Sequence, residues 1–196
     1  MTDLTNIQAN ISHLSPISTE EMALFFELGL LRKFKKNALV LRQGEDISPF
    51  MFIKRGCLMT YHEDEAGFKH VIQFGVAMWW TGDLQSMQDN TLSYYGIKAI
   101  SPTEVYSFDQ ARFETLVSAA PGFERYFRLL FQKSLINHQK RIIRNISFSA
   151  EQRYEAFVST FPKLEQLVPQ KYVASYLGIT PEFLSKMKAR FYRQKD

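Results

Sequence analysis

The spacing of apolar side chains changes several times along the chain, and each change marks an element. Behind Ser18 and Thr19, with Glu20 and Glu21 in the first turn, Met22, Leu24, Phe25 and Leu28 recur at helical intervals, which predicts a short helix within residues 17–33. From Lys35 to Asp109 the texture becomes short apolar runs, "NALVL", "FMFI", "CLMTYH", "HVIQF", "YGIKAI" and "EVYSF", separated by "QGED", "KRG", "EDEAG" and "SPTE". Such runs between turn formers predict an antiparallel sandwich or barrel. "FDQARFETLVSAAPG" reads as a short helix ending near Pro121 and Gly122. After it, Phe123, Phe127, Leu130, Phe131, Leu135, His138, Ile142 and Ile146 step by threes and fours through residues 123–146 without an internal Gly or Pro. That is one amphipathic helix of about 35 Å, longer than the β domain can cover, so part of its apolar stripe needs another partner; a second copy of itself is the simplest. Packing wholly within its own subunit is the alternative. A further helix, "SAEQRYEAFVSTF", is capped by Ser149 and closed by Pro162.

The last segment, "VPQKYVASYLGITPEFLSKMKAR" (168–190), divides at one glycine. Val173, Ala174 and Leu177 form the inner side of a first helix, Gly178 breaks it, Ile179 packs the turn, and Thr180 caps a second helix with Pro181 at its first position. Leu184 and Met187 face back toward Val173 and Leu177. Small residues at the crossing let two helices pack closely at a steep angle, which is the helix-turn-helix arrangement, although ordinary helical hairpins can imitate it. Glu182, Phe183, Ser185, Lys186, Lys188 and Arg190 are left on other faces, with Arg193 and Lys195 beyond. Glu182 and Lys186 have the donors and acceptors to read base edges, and the remaining cations suit phosphates.

Charge sharpens this picture. Residues 1–120 hold 10 Lys and Arg against 14 Asp and Glu, a net of −4; residues 121–196 hold 14 against 6, a net of +8. A basic half built to meet a polyanion, nucleic acid or an anionic membrane, fits that asymmetry, as does a merely solvated basic face. The chain is 196 residues long and 45% hydrophobic, enough for a real core. No run approaches the ~18 apolar residues that cross a bilayer, and "MTDLTNIQANISHL" lacks the features of a signal peptide, so a cytoplasmic protein with no membrane partner is expected. A single cysteine, Cys57, excludes an internal disulfide and a cysteine-ligated iron–sulfur cluster; its place in an apolar strand points to a buried structural thiol rather than a redox switch. His13, His62, His70 and His138 show no close ligand spacing, and no metal or other cofactor is expected.

With these elements in this order, the chain resembles the family of the cyclic-AMP receptor protein and the fumarate–nitrate reductase regulator (Crp/Fnr), in a form similar to its Bacteroidetes branch. "RQGEDISPFMFIKRGCLMTY" looks like the family's roll signature, with Gly44 and Glu45 turning one strand into the next and Gly56 closing the following hairpin, and residues 168–190 resemble its DNA-reading element. The resemblance runs from about residue 15 to residue 192. It implies an α+β protein: a cyclic-nucleotide-binding-like antiparallel β-roll (1–120) as sensor, a dimerisation helix (121–147) using Phe127, Leu130, Phe131, Leu135, His138 and Ile142, and a helix-turn-helix domain (148–196). Its implied partners are double-stranded DNA, a second copy of the chain, and RNA polymerase. Carried over residue by residue, Glu182 matches the base-reading glutamate and Lys186 stands where an arginine commonly reads guanine, while Pro181 replaces another cation and removes one contact. Thr180 and Ser185 are phosphate or base contacts in this reading; Lys188 and Arg190 are phosphate contacts. Glu182 could instead simply favour the helix dipole.

Two departures stand out. Cyclic-nucleotide-binding relatives hold the ribose with a glycine–glutamate–leucine segment and the phosphate with an arginine followed by serine or threonine. Here Gly82, Asp83 and Leu84 supply a shorter carboxylate, no arginine occurs between Arg55 and Arg112, and Ser93 and Tyr94 occupy the phosphate position. A buried phosphate without a guanidinium is poorly compensated, so the sequence argues against a cyclic nucleotide as effector. Met78, Trp79, Trp80, Met87, Tyr94 and Tyr95 either line a cavity for a different apolar ligand or fill the space. Second, the chain stops at Asp196, a few residues past the recognition helix, and "PKLEQLVPQK" is too short for the strands that often precede the motif. A trimmed reading unit leaning on the helix of residues 150–161, with fewer phosphate contacts and a shallower salt dependence than a winged relative, is expected. A small-molecule module whose terminal hairpin binds protein remains the rival reading. An enzyme on a jelly-roll scaffold is not favoured, because His62, His70, Glu63, Asp64 and Glu65 provide no metal triad or acid–base pair.

Overall fold

Residues 3–193 are described by the structure, a computed structural model. The chain runs α1 (Asp3–Ser12), α2 (Thr19–Leu28), β1 (Leu30–Phe34), β2 (Leu39–Leu41), β3 (Phe50–Arg55), β4 (Cys57–Glu63), β5 (Lys69–Val76), β6 (Trp80–Thr81), α3 (Leu84–Asp89), β7 (Gly96–Ala99), β8 (Thr103–Phe108), α4 (Gln110–Ala119), α5 (Pro121–Ser147), α6 (Ala150–Thr160), α7 (Leu164–Leu167), α8 (Gln170–Leu177) and α9 (Pro181–Arg193). The antiparallel roll is two four-stranded sheets, ordered β1-β8-β3-β6 and β2-β7-β4-β5. Leu41, Met51, Ile53, Leu58, Ile97, Ala99 and Val105 fill the space between them.

Both sheets are also covered on their outer faces, which explains why the strands read as apolar runs rather than alternating patterns. Phe50, Phe52, Trp80, Tyr106 and Phe108 of the first sheet pack on α1, α2, α4 and the start of α5. Cys57, Met59, Tyr61, Val71 and Phe74 of the second pack on Tyr154, Phe157, Val173, Leu177, Leu184 and Met187 from α6, α8 and α9. All six residues of β8 are consequently buried. Gly56 makes the one-residue link between β3 and β4 at φ +95°, where an added Cβ would stand 2.4 Å from the Thr103 hydroxyl.

The expected leading helix ends at Leu28, and Leu30–Phe34 pairs with β8 instead of continuing it, from Leu30 opposite Ser107 to Phe34 opposite Thr103. Gly29 ends the helix in an extended conformation, and the free main-chain groups of β8 reward the strand more than another helical turn would. Helix α1 was not legible as an element; Ile7 and Ile11, one turn apart, are fully buried in the cluster around Phe25. Helices α3 and α7 and the two-residue β6 are likewise additions. The capping box on Ser18 and Glu21, the cap at Ser149 and the short helix α4 follow the sequence signals.

Candidate nucleic-acid interface and effector cassette

Helix α8 ends where Gly178 enters the left-handed region at φ +67°, its N–H and that of Ile179 closing onto Ala174 and Ser175 carbonyls. Thr180 caps α9 by accepting from the Phe183 N–H at 3.2 Å. Leu184 and Met187 point into the core shared with the roll. The opposite side of α9 carries Glu182, Ser185, Lys186 and Arg190, all exposed and spaced so that they form one row. Lys188 sits apart: its ammonium is paired with Glu165 at the edge of the core, so the phosphate role read for it competes with an ion pair inside the subunit. Lys195 lies outside the described residues.

The terminal helix-turn-helix is fixed to the roll by its first helix. The Ser175 hydroxyl accepts from the Val71 N–H at 2.9 Å and donates to the Lys69 carbonyl at 2.8 Å, occupying main-chain groups along β5, an edge of its sheet. Beside it the Arg141 guanidinium, from α5, donates to the Ile72 and Val71 carbonyls and stacks 4.2 Å from the Tyr176 ring centroid.

Helix α5 is 27 residues, about 40 Å, and only its first turns are buried. Phe123, Tyr126 and Phe127 pack on the roll, and the Trp80 indole donates to the Tyr126 hydroxyl at 3.0 Å. Burial pushes that phenol up to about 12, with the indole hydrogen bond pulling the other way, so it stays protonated at neutral pH. The six positions read as a dimer seam divide. Phe127 is buried and Leu130 partly buried within the subunit, Phe131 stacks on Phe127, and His138 is exposed to one side. Leu135 and Ile142 point into solvent at 61% and 58% exposure, joined by Ile146 at 79%, Ile136 and Ile143. At about 100° per residue, Leu135, Ile142 and Ile146 fall within about 40° of one another, opposite Asn137, Arg141 and Arg144.

In the cassette, Asp83 is buried and is the hub of a closed network. Its Oδ1 accepts from the Ser86 N–H at 3.1 Å, capping α3. Its Oδ2 accepts from the Ser93 hydroxyl at 3.1 Å and the Tyr94 N–H at 2.9 Å. Ser48 ties the network to the roll, its hydroxyl accepting from the Asp83 N–H at 2.8 Å and its own N–H donating to the Ser86 hydroxyl. Gly82 adopts φ +151° against Pro49 and Phe50, and Leu84 is partly exposed. The two donors that the sequence offered to a ligand anion are thus held by the protein's own carboxylate. Tyr94 turns outward and stacks on His62 at 4.5 Å, while burial and then the Asp83 charge raise the neighbouring Tyr95 phenol. The spacing from Asp83 to Ser93 carried this signal, but only the fold brings the two within bonding distance.

Among the described residues there is no group of three or more His, Cys, Asp or Glu placed to hold a metal, and no helix long and apolar enough to cross a membrane. His70 is paired with Asp64 at 2.7 Å in the β4–β5 turn.

This architecture is an antiparallel roll followed by a long helix and a terminal helix-turn-helix. Residues 31–120 match the family model of the cyclic nucleotide-binding domain. Among solved structures, the chain is similar to CLP of Xanthomonas campestris, described as a c-di-GMP responsive global regulator (13% identity, TM-score 0.71, 91% of this chain and 93% of that one). It is also similar to the catabolite activator protein of Thermus thermophilus (15%, 0.58, 95% and 88%) and to a Eubacterium rectale protein assigned to the crp/fnr family of transcriptional regulators (17%, 0.68, 91% and 85%). No curated protein sequence matched. Residues 31–120 thus match a cyclic nucleotide-binding domain, and the chain has the same fold as the Crp/Fnr regulators, as its sequence motifs implied.

Proposed function

We propose that the chain is a homodimeric, sequence-specific DNA-binding transcriptional regulator, a binding protein rather than an enzyme, working in the cytoplasm where it meets DNA and RNA polymerase. The observation that carries this reading is the exposed row Glu182, Ser185, Lys186 and Arg190 on a helix whose other side is anchored in the core. A helix so mounted can enter a major groove without rearranging its own packing. Glu182 and Lys186 read base edges, and Thr180, Ser185 and Arg190 with Lys188 meet the backbone. The unpartnered row Leu135, Ile142 and Ile146 supports dimerisation through α5, because an apolar stripe of this length left in water favours a second copy. Two recognition helices related by a two-fold axis then read a pseudo-palindrome.

The roll senses something other than cyclic AMP. Asp83 already neutralises the Ser93 and Tyr94 donors, and a phosphate brought there would face a carboxylate instead of a guanidinium. Selection of sites from a random duplex library by the purified protein, with and without cyclic AMP, tests both parts. A two-fold symmetric consensus in both conditions is expected; a consensus only with cyclic AMP overturns the effector reading, and none in either condition overturns DNA binding by the free protein. Lys186→Ala should change the selected bases. If Glu182→Ala leaves them unchanged, the glutamate serves only its helix. Leu135→Glu with Ile142→Glu should convert a dimer to a monomer in sedimentation.

A further inference from the structure

Helix α9 carries its cations in two different settings. Lys186 and Arg190 stand exposed on the row that faces away from the core, whereas Lys188 follows the buried Met187 and is only partly exposed. A helix advances about 100° per residue, which places Lys188 about 40° from the buried Leu184 and about 160° from Lys186. Its stem is therefore packed, and its ammonium emerges at the edge of the core, where the Glu165 carboxylate of α7 meets it. The side chains of Lys188 and Glu165 are 19% and 12% exposed, so water screens this pair less than the surface pair of Arg42 and Glu45, at 60% and 64%.

Glu165 has a second tie. The same oxygen, Oε1, accepts from the Tyr154 hydroxyl at 2.5 Å, and Tyr154 of α6 is fully buried in the cluster that also holds Leu164, Leu184 and Met187. The carboxylate is thus held from behind by one core side chain and carried on a short helix whose neighbouring residue, Leu164, is buried in the same core. A carboxylate so fixed presents to Lys188 what a DNA phosphate would present, an anionic oxygen within reach of the ammonium.

Lys188 can therefore meet a phosphate only by giving up Glu165. A lysine that is free in solution displaces a condensed counterion when it reaches DNA, and that release is the source of salt-dependent affinity. Lys188 instead trades one anion for another, and the Glu165 left behind must take up a cation or stand unpaired in a largely buried place. The gain from the contact is largely cancelled.

We propose that Glu165 is a positioning residue for DNA binding, a role that rests on the DNA-binding reading of α9. It holds Lys188 back from the phosphate backbone and lowers the sequence-independent affinity by about one backbone contact per subunit. The choice of bases is left to the exposed row of Glu182, Ser185, Lys186 and Arg190.

The test is binding of the full-length protein to a labelled random-sequence duplex, followed by fluorescence anisotropy over a series of potassium chloride concentrations. Glu165→Gln, which keeps an acceptor for Tyr154, should steepen the slope of log affinity against log salt by about 0.9 per subunit and tighten binding about eightfold per subunit at ~0.1 M salt. The bases selected from a random library should not change. Adding Lys188→Met to Glu165→Gln should return the slope to the wild-type value, a reversal that a purely structural role of Glu165 would not produce. Glu155→Gln, at an exposed carboxylate of α6, controls for the lost negative charge and should leave the slope as it is. A measurement without DNA checks the pair itself. In reductive methylation read by mass spectrometry, Lys188 should react roughly fivefold more slowly than Lys186, and Glu165→Gln should narrow the gap. If the wild type binds the duplex in a salt-dependent way and Glu165→Gln does not steepen the slope, or steepens it equally without Lys188, this role is overturned and the DNA-binding reading stands. If the wild type shows no salt-dependent binding to duplex DNA, that reading fails and the role with it. Equal methylation of Lys188 and Lys186 in the wild type overturns the pairing on which the role depends.

Discussion

Replacing Asp83 with alanine removes the hub of the cassette and measures how far that network is structural. The carboxylate accepts from the Ser86 N–H as the cap of α3 and from the Tyr94 N–H and Ser93 hydroxyl. Loss of an N-cap costs about 1 kcal/mol. The Tyr94 N–H loses a charged acceptor at a partly buried site, worth about 1–2 kcal/mol. The Ser93 hydroxyl adds little, since it also lies 3.0 Å from the Tyr95 carbonyl and can turn to it. The expected destabilisation is therefore about 2–3 kcal/mol, a fall in Tm of roughly 4–12 °C for a chain of this size. Urea unfolding followed by far-ultraviolet circular dichroism measures it, with Asp83→Asn, which keeps an acceptor for the cap, expected to lose about 1–2 kcal/mol. A loss below about 0.5 kcal/mol for the alanine variant, at an unchanged m-value, would refute the view that Asp83 is tied up within the fold. In that case the carboxylate would be free to serve a ligand.

Other consequences follow from single contacts. Burial pushes the Cys57 thiol up to about 12, so at pH 8 only roughly one molecule in 10⁴ carries the thiolate, and reaction with a disulfide reagent should wait on unfolding; rapid stoichiometric labelling of the native protein would contradict a structural role. Burial raises the Glu104 carboxyl, but Arg55 at 2.7 Å and Lys33 at 3.4 Å outweigh it and hold the group below its ordinary range. Its folded value lies below its unfolded one, so its stabilisation is present above the ordinary glutamate range and is lost as pH falls through that range toward the folded value. Glu104→Gln should therefore flatten the acid limb of the stability curve, and an unchanged limb would exclude the group. Ser175→Ala removes both bonds to β5 and should cost about 1–2 kcal/mol, with faster amide exchange at Val71 as its local signature.

Periodicity and turn chemistry determined the roll, the long helix and the terminal hairpin, because each is specified by neighbours close in sequence. Gly178 breaks a helix wherever it lies, and Ser149 with Gln152 caps one. The exposed row of α9 was legible for the same reason, since Leu184 and Met187 fix which side must be buried. What only the tertiary structure decided lies between elements. Leu30–Phe34 became a strand because β8 offered it unpaired main-chain groups, an influence from residues about 70 or more positions away. Asp83 meets Ser93 and Tyr94 because the cassette folds back on itself, a contact that residue types alone left open to a ligand. The two faces of α5 were equally hidden. Its apolar stripe read as one seam, yet its first turns lie against the roll, its outer row is left to solvent, and its basic side closes a cavity with helices that follow it. A helical pattern records which side chains share a face, and the packing of distant segments decides what each face meets.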